Sequence, residues 1–217
     1  MNLYLFDVDH TMLDVDHIHM PAYEKMYGEV YNAKHSLSLP SGEERTTHNI
    51  IKCALRNEMP GEKIEAQMEE AINNMVRLYY SRVNPLFVHT NMPQVLEKLS
   101  NNGMIAVFTG GARKVTNVIL KKTNLYDKFN HISTCDDAPT RAGIVKHAIE
   151  KCSLGRKFDK IFVIGDDPAD VRAAKANNAI AVAVPMGHHS KEELKKCNPD
   201  IIIENWENTD WVMEQLK

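Results

Sequence analysis

The sequence predicts an α/β protein: a doubly wound parallel sheet with an inserted all-helical unit. Three observations carry this. Short apolar runs at 3–8, 104–108 and 160–164 read as buried strands of a parallel sheet. After Pro85 such runs alternate with helical patterns, as in a sheet covered on both faces. Between about residues 14 and 85 the chain is instead rich in Glu, Lys, Met and Asn, with no convincing strand. Residues 1–14 and 85–217 are therefore expected to form an α/β core, and residues 15–84 a separate helical unit.

The elements follow in order. Leu3-Tyr4-Leu5-Phe6-Asp7-Val8-Asp9-His10-Thr11 is an apolar strand ending in two carboxylates and a threonine. A helix is expected from Pro21, with proline in its first turn and Tyr23, Met26, Tyr27 and Val30 on one stripe. Ser36 to Gly42 reads as a polar break. A second helix buries Ile50, Ile51, Ala54 and Leu55. After a break at 57–61, one long helix is expected from Ile64 to Val83. A helix over Met92–Leu99 stops at Asn102-Gly103, and a strand over Met104–Phe108 ends at Thr109-Gly110-Gly111. Then come a helix (Arg113–Lys122), a strand (His131–Thr134), a helix (Thr140–Cys152) and a strand (Lys160–Ile164). That strand ends in Gly165-Asp166-Asp167-Pro168-Ala169-Asp170. Helix Pro168–Asn177, strand Ala179–Val184, a short helix at 191–196, a strand at 201–203 and a helix at 209–216 close the chain.

Three strand ends should share one rim, where open α/β sheets bind ligands. Asp7 and Asp9, two apart on an extended backbone, point to one side and repel unless a cation lies between them. A divalent ion with oxygen ligands, magnesium above all, answers that repulsion and screens an arriving phosphate. Asp7 is accordingly read as a nucleophile that takes a phosphoryl group. Thr109 offers a hydroxyl, and Gly110 an amide that a phosphate can approach closely. Asp166 reads as a metal ligand, and Asp170, one turn on, as a further one. Asp167 before Pro168 reads as a helix N-cap.

These motifs resemble the first, second and fourth motifs of the haloacid dehalogenase superfamily, and the resemblance runs over the whole chain. The 15–84 insertion is similar to the helical cap of its phosphoglycolate phosphatase and β-phosphoglucomutase branch. The resemblance implies attack on phosphorus by Asp7, with Asp9 as general acid and then general base. It implies Mg²⁺ held by Asp7, Asp166 and the Asp9 backbone carbonyl, and phosphate held by Thr109 and Gly110. Two departures stand out. His10 occupies a place where members usually carry glycine. The third-motif lysine has no match, and Arg141 stands closest to it, with Lys146 second. Asp9 favours phosphate esters, because the dehalogenase and phosphonate-cleaving branches lack an acid there.

The expected function is a phosphatase acting on a small phosphorylated metabolite. A phosphosugar mutase of the same branch, or a phospho-accepting protein without turnover, are the alternatives. The formal charge of −3 and the absence of a basic stripe argue against nucleic acid as partner. No run is long enough for a membrane span. Four widely spaced cysteines and no secretion signal suggest reduced thiols in a cytoplasmic protein; whether it is a monomer or a homodimer stays open. His17 and His19 are read as surface or hinge histidines, and His188-His189 as a solvated loop at the rim. Arg45, Thr46, Thr47 and His48 either face a substrate or cap a helix.

Overall fold

Strand β1 (Asn2–Phe6) lies at the centre of a six-stranded sheet. It pairs in parallel with β2 (Gly103–Phe108) on one side and β4 (Ile161–Gly165) on the other. Beyond them lie β3 (His131–Ser133), next to β2, then β5 (Ile180–Ala183) and β6 (Ile201–Ile202), giving the order β3-β2-β1-β4-β5-β6. All pairings are parallel. Both faces of β1 are covered, and Leu3, Leu5 and Phe6 are wholly buried. That burial explains an uninterrupted apolar run rather than an alternating one. The computed structural model describes residues 1–34, 42 and 45–217. Apart from Gly42, the polar break read at 36–42 lies outside the described residues.

Register matters most for the site. Phe6 is level with both Val107 and Ile164. One step on, Asp7 is therefore level with the ends of β2 and β4, and the chain reverses direction across the sheet at β1. Such a switch point opens a crevice at the carboxyl ends of the strands.

Helices α5 (Met92–Ser100), α6 (Arg113–Lys122), α7 (Arg141–Cys152), α8 (Pro168–Ala176), α9 (Lys191–Lys196) and α10 (Thr209–Gln215) alternate with the later strands. Between β1 and β2 come α1 (Asp16–Tyr31), α2 (Thr47–Leu55), α3 (Gly61–Ala66) and α4 (Met68–Arg82). Helix α4 packs against α1 and also against α6.

Two expectations are corrected here. Helix α1 starts at Asp16, so Pro21 is interior rather than in a first turn at 21. Its missing N–H forgoes one bond, to the His17 carbonyl. The long helix expected from Ile64 to Val83 is two helices, separated at Gln67, whose φ of −102° and ψ of 0° leave the helical region. The Gln67 side chain donates to the Val30 carbonyl at 3.2 Å and ties that joint to the end of α1. No disulfide links Cys53, Cys135, Cys152 and Cys197. Among the described residues, no helix is long and apolar enough to cross a membrane.

Candidate active site

A cavity of about 560 Å³ opens above the carboxyl ends of β1, β2 and β4. Its floor includes Asp7, Asp9, Thr109, Gly110, Arg141 and Asp166. These come from four separate stretches, so the sheet order brings together most of the residues singled out from sequence.

Asp7 is buried, and Arg141 grips it in a fork: Nη1 donates to Oδ1 at 2.9 Å and Nη2 to Oδ2 at 3.3 Å. Arg141 opens α7 behind the N-cap Thr140, whose side chain accepts from the Gly143 amide. Its Nε lies 3.2 Å from Asp170 Oδ1, an ion pair whose alignment falls short of a hydrogen bond. Lys146, the other third-motif candidate, is 70% exposed and pairs with Glu150 at 3.9 Å. Arg141 is therefore the cation beside Asp7, whereas Lys146 lies exposed.

Asp166 accepts from the Thr11 hydroxyl at 3.3 Å, and the Thr11 carbonyl in turn accepts from Trp206 Nε1 at 2.9 Å. Asp167 and Asp170 form a capping box at the start of α8, as read for Asp167. That box engages Asp170 Oδ2, which accepts from the Asp167 amide at 3.1 Å.

Carboxylate oxygens of Asp7, Asp166 and Asp170 lie within 4.8 Å of one another. Burial pushes Asp7 up despite Arg141, and raises Asp170 to about 8. Asp166 is pushed well up, first by burial and then by Asp7 and Asp170. One guanidinium does not offset that crowding. An all-oxygen, net-negative, buried donor set suits a hard dication. Glycines make room for two of these carboxylates: a Cβ on Gly187 would stand 2.0 Å from Asp166 Oδ2, and one on Gly165 2.2 Å from Asp170 Oδ2.

Asp9 differs. Its Oδ2 lies 3.3 Å from His19 Nε2, while its buried Oδ1 has no partner. Burial raises its pKa, but His19, His10 and Arg141 together outweigh burial and hold the carboxyl below its ordinary value. Conversely Asp9 raises His19 against burial. Tyr79, from α4, hydrogen-bonds the other His19 ring nitrogen. The functional reading of the sequence missed His19. The available signal was its position ten residues after Asp9, on the first helix to leave the strand end.

Thr109 is buried, and its hydroxyl accepts from the Gly111 amide at 3.1 Å. The Gly110 carbonyl accepts from the Thr47 amide, and a Gly110 Cβ would stand 2.5 Å from the Arg45 carbonyl oxygen. The close approach at Gly110 thus comes from the helical insertion. Of the polar cluster there, Thr46 caps α2 and Arg45 pairs with Asp167 at 2.8 Å; Arg45 and Thr47 also line the cavity. His10 takes a left-handed conformation at φ 60°, the backbone that a glycine adopts without strain.

The sequence profile of the haloacid dehalogenase-like hydrolases matches residues 4–184. The chain belongs to this family. Relatives of the haloacid dehalogenase-like chain include a phosphoglycolate phosphatase of Thiobacillus denitrificans, 25% identical over 92% of this chain and 89% of that one. A phosphoglycolate phosphatase of Nitrosococcus oceani is 24% identical over 72% and 71%. The fold is also that of a β-phosphoglucomutase from Clostridium difficile, with a TM-score of 0.76, 17% identity, and coverage of 98% of this chain and 96% of that one.

Proposed function

We propose that this haloacid dehalogenase-like hydrolase is a magnesium-dependent phosphatase of a small phosphorylated metabolite. Residues 1–14 and 85–217 form its catalytic core, and residues 15–84 act as a cap over the site. The observation that carries the reading is the pairing of a buried, Arg-gripped carboxylate with a second carboxylate that keeps one oxygen free. Two phosphoglycolate phosphatases among its relatives support the reaction class.

Asp7 attacks the phosphorus in line, and the ester oxygen leaves with a proton from Asp9. The negative charge of the arriving phosphate raises the Asp9 carboxyl from its low resting value, so that it carries that proton. Asp9 then takes a proton from water, whose oxygen attacks the phosphorus of the aspartyl phosphate and frees Asp7. The partnerless Oδ1 of Asp9 serves both proton transfers, while His19 fixes the other oxygen. Arg141, anchored by Asp170, stays beside Asp7 to offset charge on the transferring group. Thr109 and the Gly110 amide receive phosphate oxygens. Asp7, Asp166 and the Asp9 carbonyl would hold Mg²⁺, with Asp170 as a further candidate ligand, and the ion when bound would supply Lewis-acid charge neutralisation. Met20, Tyr23, Ile50, Met75, Val115 and Ile119 line the cavity and suit the organic part of the ester.

Phosphate release from phosphoglycolate, sugar phosphates and p-nitrophenyl phosphate with Mg²⁺ tests the reading. Asp7→Asn is expected to abolish turnover, and Asp9→Asn to slow it by about 10²–10⁴-fold. Near-wild-type turnover by Asp7→Asn would remove the mechanism. Isomerised hexose phosphate without free phosphate would identify a mutase instead.

A further inference from the structure

Three side chains at the cavity mouth, none of them used above, converge on one point. His10 follows β1, Asp16 opens α1, and His188 lies in the loop between β5 and α9. His10 Nε2 is 3.1 Å from Asp16 Oδ1, and His188 Nε2 is 3.3 Å from the same oxygen. The two rings meet edge to face, with centroids 4.7 Å apart at 63°. All three ligand atoms lie within 4.8 Å of one another.

We propose that His10, Asp16 and His188 form a second cation site, for a divalent transition ion of the zinc, cobalt and nickel class. In a tetrahedral centre with bonds of about 2.0–2.1 Å, ligand atoms stand about 3.3 Å apart. The two separations to Asp16 already have that size. Two imidazole nitrogens and one carboxylate oxygen select against magnesium, which prefers oxygen throughout. The buried Asp7, Asp166 and Asp170 cluster has the opposite preference. The two sites therefore sort cations by ligand chemistry.

The backbone holds this arrangement ready. The His10 amide donates to the Leu13 carbonyl at 2.7 Å, and the His10 carbonyl lies 3.3 Å from His89 Nε2. These contacts bracket the left-handed residue, so its ring is aimed by a fixed turn. Asp16 is the first residue of a sixteen-residue helix, where the helix dipole favours a carboxylate. A Cβ on Gly187 would stand 2.9 Å from His10 Cβ, so the bare glycine lets the His188 loop lie against His10. Three protein ligands leave coordination positions open, and all three side chains line the same cavity as Asp7. The proposal stands whether or not Asp7 is the nucleophile, because binding is read without turnover.

Cobalt(II) titrated into the protein in excess magnesium is the test, followed by visible absorption and by equilibrium dialysis. One equivalent is expected to bind with the intense visible bands of a nitrogen-ligated, low-symmetry centre. The bands should persist in Asp7→Asn and disappear in both His188→Ala and Asp16→Asn. Circular dichroism of the two mouth variants controls for folding, and both changes fall on exposed side chains. Absence of stoichiometric binding, or unchanged bands in the two folded variants, would overturn the site.

Discussion

His10 shows how one side chain can be legible in type and opaque in purpose. The motif around it could be read from the spacing of Asp7, Asp9 and Thr11, and the departure from glycine was visible. Its left-handed backbone was not, because a turn is fixed by hydrogen bonds to Leu13 and His89 that no local pattern announces. His19 was hidden for a related reason: its partner Asp9 is close in sequence, but helix geometry decides which face meets the strand end. Arg141 was legible only as one of two candidates; that it lies on Asp7 while Lys146 lies exposed came from the fold. Gly187 carries a prediction at this scale. A methyl group there meets the Asp166 carboxylate, so Gly187→Ala is expected to raise the magnesium needed for half-maximal activity by about 10–100-fold. An unchanged magnesium dependence, measured with saturating substrate, would show that Asp166 gives way without leaving its place.

At the scale of elements, strands and later helices were readable because both periodicities are strong and boundaries carry their own chemistry. Asp167-Pro168 is the clearest case, since its capping box is written in the order of the residues. The break at Gln67 was not readable: helical residues continue on both sides, and the joint is made by a contact with the Val30 carbonyl on another helix. A pH effect belongs to β3 and α7. His131 Nε2 and His147 Nδ1 both bond the Ser133 hydroxyl, at 3.0 and 2.9 Å. Burial, then the neighbouring His147, holds His131 below its ordinary value of 6.5. Below that value the unfolded chain binds the proton more readily, so stability falls on acidification until the folded imidazole also protonates. The melting temperature should therefore drop more steeply from about pH 6.5 to 5 in the wild type than in His131→Gln. Parallel slopes in thermal melts would remove His131 as the cause.

For the whole molecule, the convergence of 7, 9, 109 and 166 was inferable because parallel sheets place all strand ends on one side; the order that makes their strands neighbours came from the fold. Buried acids in excess of the cations beside them predict that metal binding and folding are linked. Magnesium at about a hundredfold excess over its dissociation constant should stabilise the native state by about 2.7 kcal/mol. Asp166→Asn should lose most of that gain in denaturant titrations with and without the ion; an equal gain in the variant would place the ion elsewhere. The central position of β1 has a consequence for biosynthesis. Its first partner, β2, ends about a hundred residues later, so a nascent chain emerging at about 5–20 residues per second carries an unpaired apolar β1 segment for roughly 5–20 s. Through that interval the ribosome exposes a sticky segment that chaperones are suited to shield, and the active site cannot assemble before translation is well advanced.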